Sequence, residues 1–179
     1  MNATRFWTTP GVLPALVDLG WHVTAPDRNT TPDSWAHAAR EMARLLTVRS
    51  TVVAASNGVS VGLRLAVDYP DLVHRLVLLW PATASDPVVD RRIPSSAAHL
   101  LAGETVRGLS DHELSTLSVP VAVMASRPEN PIHQHRTVDR LADTIPDATV
   151  IERAFPEAPH PDFAGSLGRF IATLVEHLE

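Results

Sequence analysis

Apolar positions along the chain fall in blocks that switch between helical and extended spacing. Val12, Leu16 and Leu19 lie on one helical face, behind Thr9 as cap and Pro10 in the first turn, with Gly20 as the stop. "WHVTAPD", 21–27, reads as a short strand ending at Pro26. Thr31 and Pro32 open a second helix with Trp35, Ala39, Met42 and Leu46 on one stripe. "STVVAAS", 50–56, is a continuous apolar run, the pattern of a central parallel strand buried on both faces. A helix from Asn57 to about Asp68 follows, turning Val59, Leu63, Ala66 and Val67 inward; Gly58 and Gly62 would let it lie close to the sheet. "HRLVLLW" is a third strand. The polar, broken stretch 84–118 predicts two or three short helices, and "SDHE" at 110–113 has the form of a capping box. "VPVAVMAS" and "ATVIER" are two more strands, separated by a helix through Val138, Leu141, Ala142 and Ile145. A last amphipathic helix carries Phe163, Leu167, Phe170, Ile171, Leu174 and Leu178.

Helices alternating with strands predict an α/β fold, a mostly parallel sheet covered on both faces. The 179 residues suit one domain over 1–179, with 84–118 a small helical cap inserted in it. Ligands bind such sheets beyond the carboxyl ends of the strands. That rule directs attention to Asp27, Ser56, the step 81–83, Ser126 to Asn130, and Phe155 to Pro161.

Composition narrows the chemistry. The chain has no cysteine, which excludes disulfides, thiolate nucleophiles and cysteine-based metal sites. All fifteen basic residues are arginine, which excludes Schiff-base lysine chemistry. A net charge of −5 without a basic stripe argues against nucleic acid as a partner. No apolar stretch is long enough to span a membrane, and the N-terminus lacks the pattern of a signal peptide, so a cytoplasmic protein is expected.

Ser56 stands at a strand–helix corner, which aims a side chain out over the sheet while the helix N-terminus offers backbone N–H groups to a developing oxyanion. The alternative is a plain helix cap. Ala54–Ala55–Ser56–Asn57–Gly58 approximates the nucleophile elbow G-x-S-x-G, with Ala54 in place of the first Gly. Together with "VGLRLAVDYPDLVHRLVLLWPAT", it resembles the nucleophile helix and following strand of the α/β-hydrolase superfamily. "PGVLPALVDLGWHVTAPDR", "VPVAVMASRPENPIHQHRTVDRLADTIPDATV" and "PEAPHPDFAGSLGRFIATLVEHL" resemble its preceding helix and strand, its acid-bearing segment, and its histidine loop with the last helix. The likeness runs from Thr9 to the end.

The resemblance implies a nucleophile, an acid and a histidine in that chain order. It places Ser56 as nucleophile and His160 as base, with Pro159 where the family usually has Gly. Counted from Ser126 the acid is Glu129; counted back from Pro131 it is Asn130, which cannot supply a charge, so Glu129 is favoured. His133 and His135, two residues apart without a carboxylate cluster, are weak as a zinc pair and read as pocket-rim or helix-start residues; no metal and no cofactor are expected. Trp35 and Trp80 read as core. The family's first two strands, and a third ending in His-Gly, have no counterpart here; the chain starts about where that His-Gly would have ended. The oxyanion donors would then be the Asn57 N–H with Asn2 or Ala3. The sheet would have five strands, and an exposed central edge would encourage self-association. The implied activity is that of a serine hydrolase on a small ester, lactone or related acyl compound bound under 84–118, weakened by the shortened N-terminus. The alternative is a non-catalytic binding or scaffold domain of the same fold, or a truncated inactive form.

Overall fold

The computed structural model describes residues 3–29, 31–91 and 93–179. Four parallel strands, β1 (Ser50–Ser56), β2 (Val73–Pro81), β3 (Val121–Ser126) and β4 (Ala148–Phe155), form one sheet in the order β1-β2-β3-β4. Among the described residues seven α-helices accompany them in chain order. They are α1 (Val12–Asp18), α2 (Trp35–Ala43), α3 (Gly58–Asp68), α4 (Pro87–Asp90), α5 (Asp111–Ser115), α6 (His135–Thr144) and α7 (Leu167–Val175).

Successive side chains of a strand face opposite sides, and the core divides accordingly. Leu76 and Leu78 of β2 join the cluster built with α2, α3, α6 and the stretch from Ala97 to Val119. Val77 and Leu79 join the other, with Phe6, α1 and α7. All four are fully buried, and each contributes about 1.5–3 kcal/mol relative to exposure. This is why the strand reads as one apolar run rather than an alternation. Trp35 and Trp80 are core residues, as expected; Trp80 stacks on Phe170 at 5.6 Å.

One expected strand is not formed. Residues 21–27 run without a ladder; among the described residues their one backbone bond is Trp21 N–H to Leu16. An apolar stretch becomes a strand only with a neighbour to share its N–H and C=O groups, and β1 pairs only with β2. Trp21 and Val23 pack against the second cluster instead, and among the described residues the sheet has four strands, not five.

The capping box forms: Ser110 accepts from the Glu113 N–H, and Glu113 returns to the Ser110 N–H. Of the two glycines expected to bring α3 onto the sheet, Gly62 alone does so. A Cβ there would lie 2.9 Å from the Ala54 Cβ, whereas one at Gly58 would meet nothing within 4 Å. Among the described residues no helix is long and apolar enough to cross a membrane.

Candidate active site

β1 ends at Ser56 with φ +52°, a left-handed conformation that non-glycine residues adopt only at a cost. The ladder with β2 is irregular there: Ala55 pairs Leu79, but Ser56 pairs Pro81. This sharp corner, followed at once by α3, holds the hydroxyl above the strand ends.

The imidazole that meets Ser56 belongs to His133. Its Nε2 lies 2.9 Å from Ser56 Oγ, and its Nδ1 lies 2.6 Å from Glu157 Oε1. Carboxylate on one ring nitrogen keeps the proton on Nδ1, so Nε2 accepts the Ser56 hydroxyl. An imidazole held this way can take a proton from the hydroxyl and return it.

His133 is fixed from both sides. Asn130 makes an Asx-turn, its Oδ1 accepting from the Ile132 and His133 N–H groups at 3.0 and 3.1 Å. Thr83, buried on the loop after β2, donates its N–H to the Ile132 carbonyl at 2.7 Å, and its hydroxyl accepts from the Gln134 N–H. The ring has almost no room to wander, being only about a tenth exposed.

Glu157 lies just beyond β4. Its Oε1 receives the Ser126 hydroxyl at 2.8 Å and the Asn130 amide, besides His133. Burial pushes its carboxyl up, but the hydrogen bond and charge of His133, then Ser126 and Asn130, outweigh it and hold the group at about 2. It is therefore ionised at neutral pH.

The residues named from sequence separate into two groups. Ser56 occupies the corner as expected, and Asn57 immediately precedes α3 beside it, its Oδ1 accepting from Arg107 Nη1 at 2.9 Å. His160 and Glu129 are not brought to Ser56. His160 starts a short 3-10 helix, its Nδ1 accepting from the Asp162 N–H at 3.2 Å with Asp162 Oδ2 at 3.7 Å. Glu129 is exposed and accepts from the His135 N–H at 2.8 Å, at the first turn of α6. Local backbone donors claim both side chains, which is why neither reaches the rim. The Ala3 N–H is donated to Asp27 Oδ1 at 2.6 Å and so is spent; Asn2 lies outside the described residues. His133, expected at a pocket rim or helix start, is instead the residue on Ser56. The signals for it were local: an N-P-x-H stretch able to form an Asx-turn, and a carboxylate three residues before His160 on the loop already singled out by strand order.

A cavity of about 180 Å³ opens beside Asn57, walled by Trp35, Ile93, Ala97 and Leu100, with Arg107. Among the described residues no group of three or more histidines and carboxylates is placed to hold a metal ion.

No protein-family model matches the sequence, and no curated protein matches it. Solved structures do match. One described as a non-haem bromoperoxidase, from Mycobacterium tuberculosis, superposes with a TM-score of 0.78 at 14% identity, over 99% of this chain and 87% of that one. A meta-cleavage product hydrolase from Pseudomonas fluorescens gives 0.71 at 17% identity, over 99% and 85%. A thermophilic esterase from Thermogutta terrifontis gives 0.70 at 18%, over 98% and 85%. At these identities the likeness is one of fold.

Proposed function

We propose that this chain, which has the α/β-hydrolase fold, is a serine hydrolase whose working groups are Ser56, His133 and Glu157. The observation that carries the reading is the unbroken chain of two hydrogen bonds, Ser56 to His133 at 2.9 Å and His133 to Glu157 at 2.6 Å.

Ser56 Oγ attacks the acyl carbon of a small ester or lactone while its proton passes to His133 Nε2. The carbonyl oxygen becomes an oxyanion, and the Asn57 N–H is the donor next to it. His133 then gives its proton to the departing oxygen, leaving an acyl group on Ser56. Water attacks that acyl group, His133 takes the water's proton, and Ser56 is regenerated. Glu157 holds the ring orientation and balances the imidazolium charge throughout.

A second reading, a non-catalytic domain of this fold, draws on one observation. The Ala3 N–H, the described alternative oxyanion donor, is occupied by Asp27. Loss of one such donor costs about 10²–10³ in rate. Exposure to a fluorophosphonate, followed by intact-mass measurement, separates the two. The hydrolase reading expects one adduct on the wild type and none on Ser56→Ala; a well-folded wild type that takes no adduct supports the second reading.

A further inference from the structure

We propose that Asn130 is a positioning residue of the acid–base pair, and that position 130 is a second seat from which a carboxylate can hold His133. This rests on the hydrolase reading of the same site.

Two demands meet at this side chain. The Ile132 and His133 N–H groups, in the turn that carries the imidazole, need an acceptor, and Asn130 Oδ1 takes both, at 3.0 and 3.1 Å. Glu157 Oε1 takes a donor, and Asn130 Nδ2 supplies it at 2.5 Å. A carboxamide has an acceptor and a donor side by side, so one residue clamps the base-bearing turn to the acid. Aspartate would keep the turn and lose the donor; alanine would lose both.

Ser126 does not make this clamp redundant. Its hydroxyl carries one proton and faces two acceptors, the Pro128 carbonyl at 3.0 Å and Glu157 Oε1 at 2.8 Å. The Asn130 amide nitrogen carries two protons, so its bond to the carboxylate is not shared in this way.

The second seat follows from how close the two nitrogens lie. Asn130 Nδ2 is 3.5 Å from His133 Nδ1. With Nδ1 protonated both are donors, and they converge on Oε1 rather than on each other. An oxygen in the place of Nδ2 would stand about 0.5 Å beyond hydrogen-bond length from the imidazole N–H, next to the oxygen that now holds it. Adding a carboxylate at 130 beside Glu157 would set two like charges against each other, so the charge must be moved, not added. In Asn130→Asp/Glu157→Gln the pattern is preserved with the roles exchanged. The amide at 157 donates to the carboxylate at 130, which accepts from the imidazole and from the two turn N–H groups.

The test measures fluorophosphonate labelling rates across pH for wild type, Asn130→Ala, Glu157→Gln and Asn130→Asp/Glu157→Gln. The His133 Nδ1–H resonance is followed in each, assigned by its loss in His133→Ala. The neighbouring titratable groups are the same in all four proteins: Glu129 and His135 are on the same loop, His160 is held by the Asp162 N–H, and Asp86 accepts from Gln134. Asn130→Ala should label about 10- to 100-fold more slowly than wild type. Glu157→Gln should lose the resonance, and its acid limb should move about one unit or more to lower pH, because no carboxylate then stabilises the imidazolium. The double variant should label at least about tenfold faster than Glu157→Gln, regain the resonance and bring the acid limb back towards wild type. A purely structural Asn130 gives none of these recoveries. Where wild type labels, a double variant no faster than Glu157→Gln, or a folded Asn130→Ala within about threefold of wild type, overturns the proposal. Where wild type takes no adduct the hydrolase reading fails, and the resonance decides this proposal alone: its absence from the double variant overturns it.

Discussion

Glu157, on the loop after β4, accepts a hydrogen bond from Nδ1 of His133, on the loop after β3, at 2.6 Å. The superfamily resemblance implies the opposite distribution, with the acid after β3 and the histidine after β4. β3 and β4 are adjacent and parallel, so their loops emerge side by side at one rim. Either distribution can therefore place carboxylate and imidazole in sequence above Ser56. Glu157→Gln should lower kcat/KM for a small ester by about 10⁴-fold, by destroying the charge that holds the ring. Glu129→Gln should change it by less than about threefold, since Glu129 only meets the start of α6. Steady-state kinetics on both variants checks this.

The same carboxylate makes stability acid-sensitive. Glu157 is held at about 2 in the fold against an ordinary 4.5, so its contribution is complete above the ordinary value and is lost as pH falls towards the lower one. Denaturant titrations should find wild type more stable than Glu157→Gln at neutral pH by about 1.5–3 kcal/mol, the usual worth of hydrogen bonds to a charged group, with the gap closing towards pH 2.

Ser56 sits at φ +52° and carries a Cβ there. Glycine adopts that conformation freely, whereas alanine, like serine, carries the cost of a Cβ there. Ser56→Gly should melt above Ser56→Ala by the equivalent of about 1 kcal/mol, both being inactive. Equal melting temperatures would mean that the corner relaxes.

Packing beneath the corner is equally specific. Gly62→Ala would drive a Cβ to 2.9 Å from that of Ala54. Calorimetry should record a loss of about 1–3 kcal/mol, largely recovered by adding Ala54→Gly.

Much of this was legible in the residues. The switching periods gave every helix-and-strand alternation from 50 onwards, "SDHE" gave a real capping box, and the strand–serine–helix corner gave Ser56. Two things were not. Residues 21–27 have strand composition, but a ladder depends on a neighbour that local pattern does not report. His133 and His160 both sit on loops at strand ends, and spacing alone does not say which one turns inward. That is decided by the bonds each loop finds: Thr83, distant in sequence, pins the His133 loop, while the N–H of Asp162, two residues on, holds the His160 ring.

The rate of Ser56 labelling by a fluorophosphonate in His133→Ala and His160→Ala proteins bears most directly on the assignment of the base. Loss of labelling by a factor of about 10³ or more in His133→Ala, with His160→Ala within about threefold of wild type, is the predicted result. Full labelling without His133, or its loss without His160 in a folded protein, would contradict it.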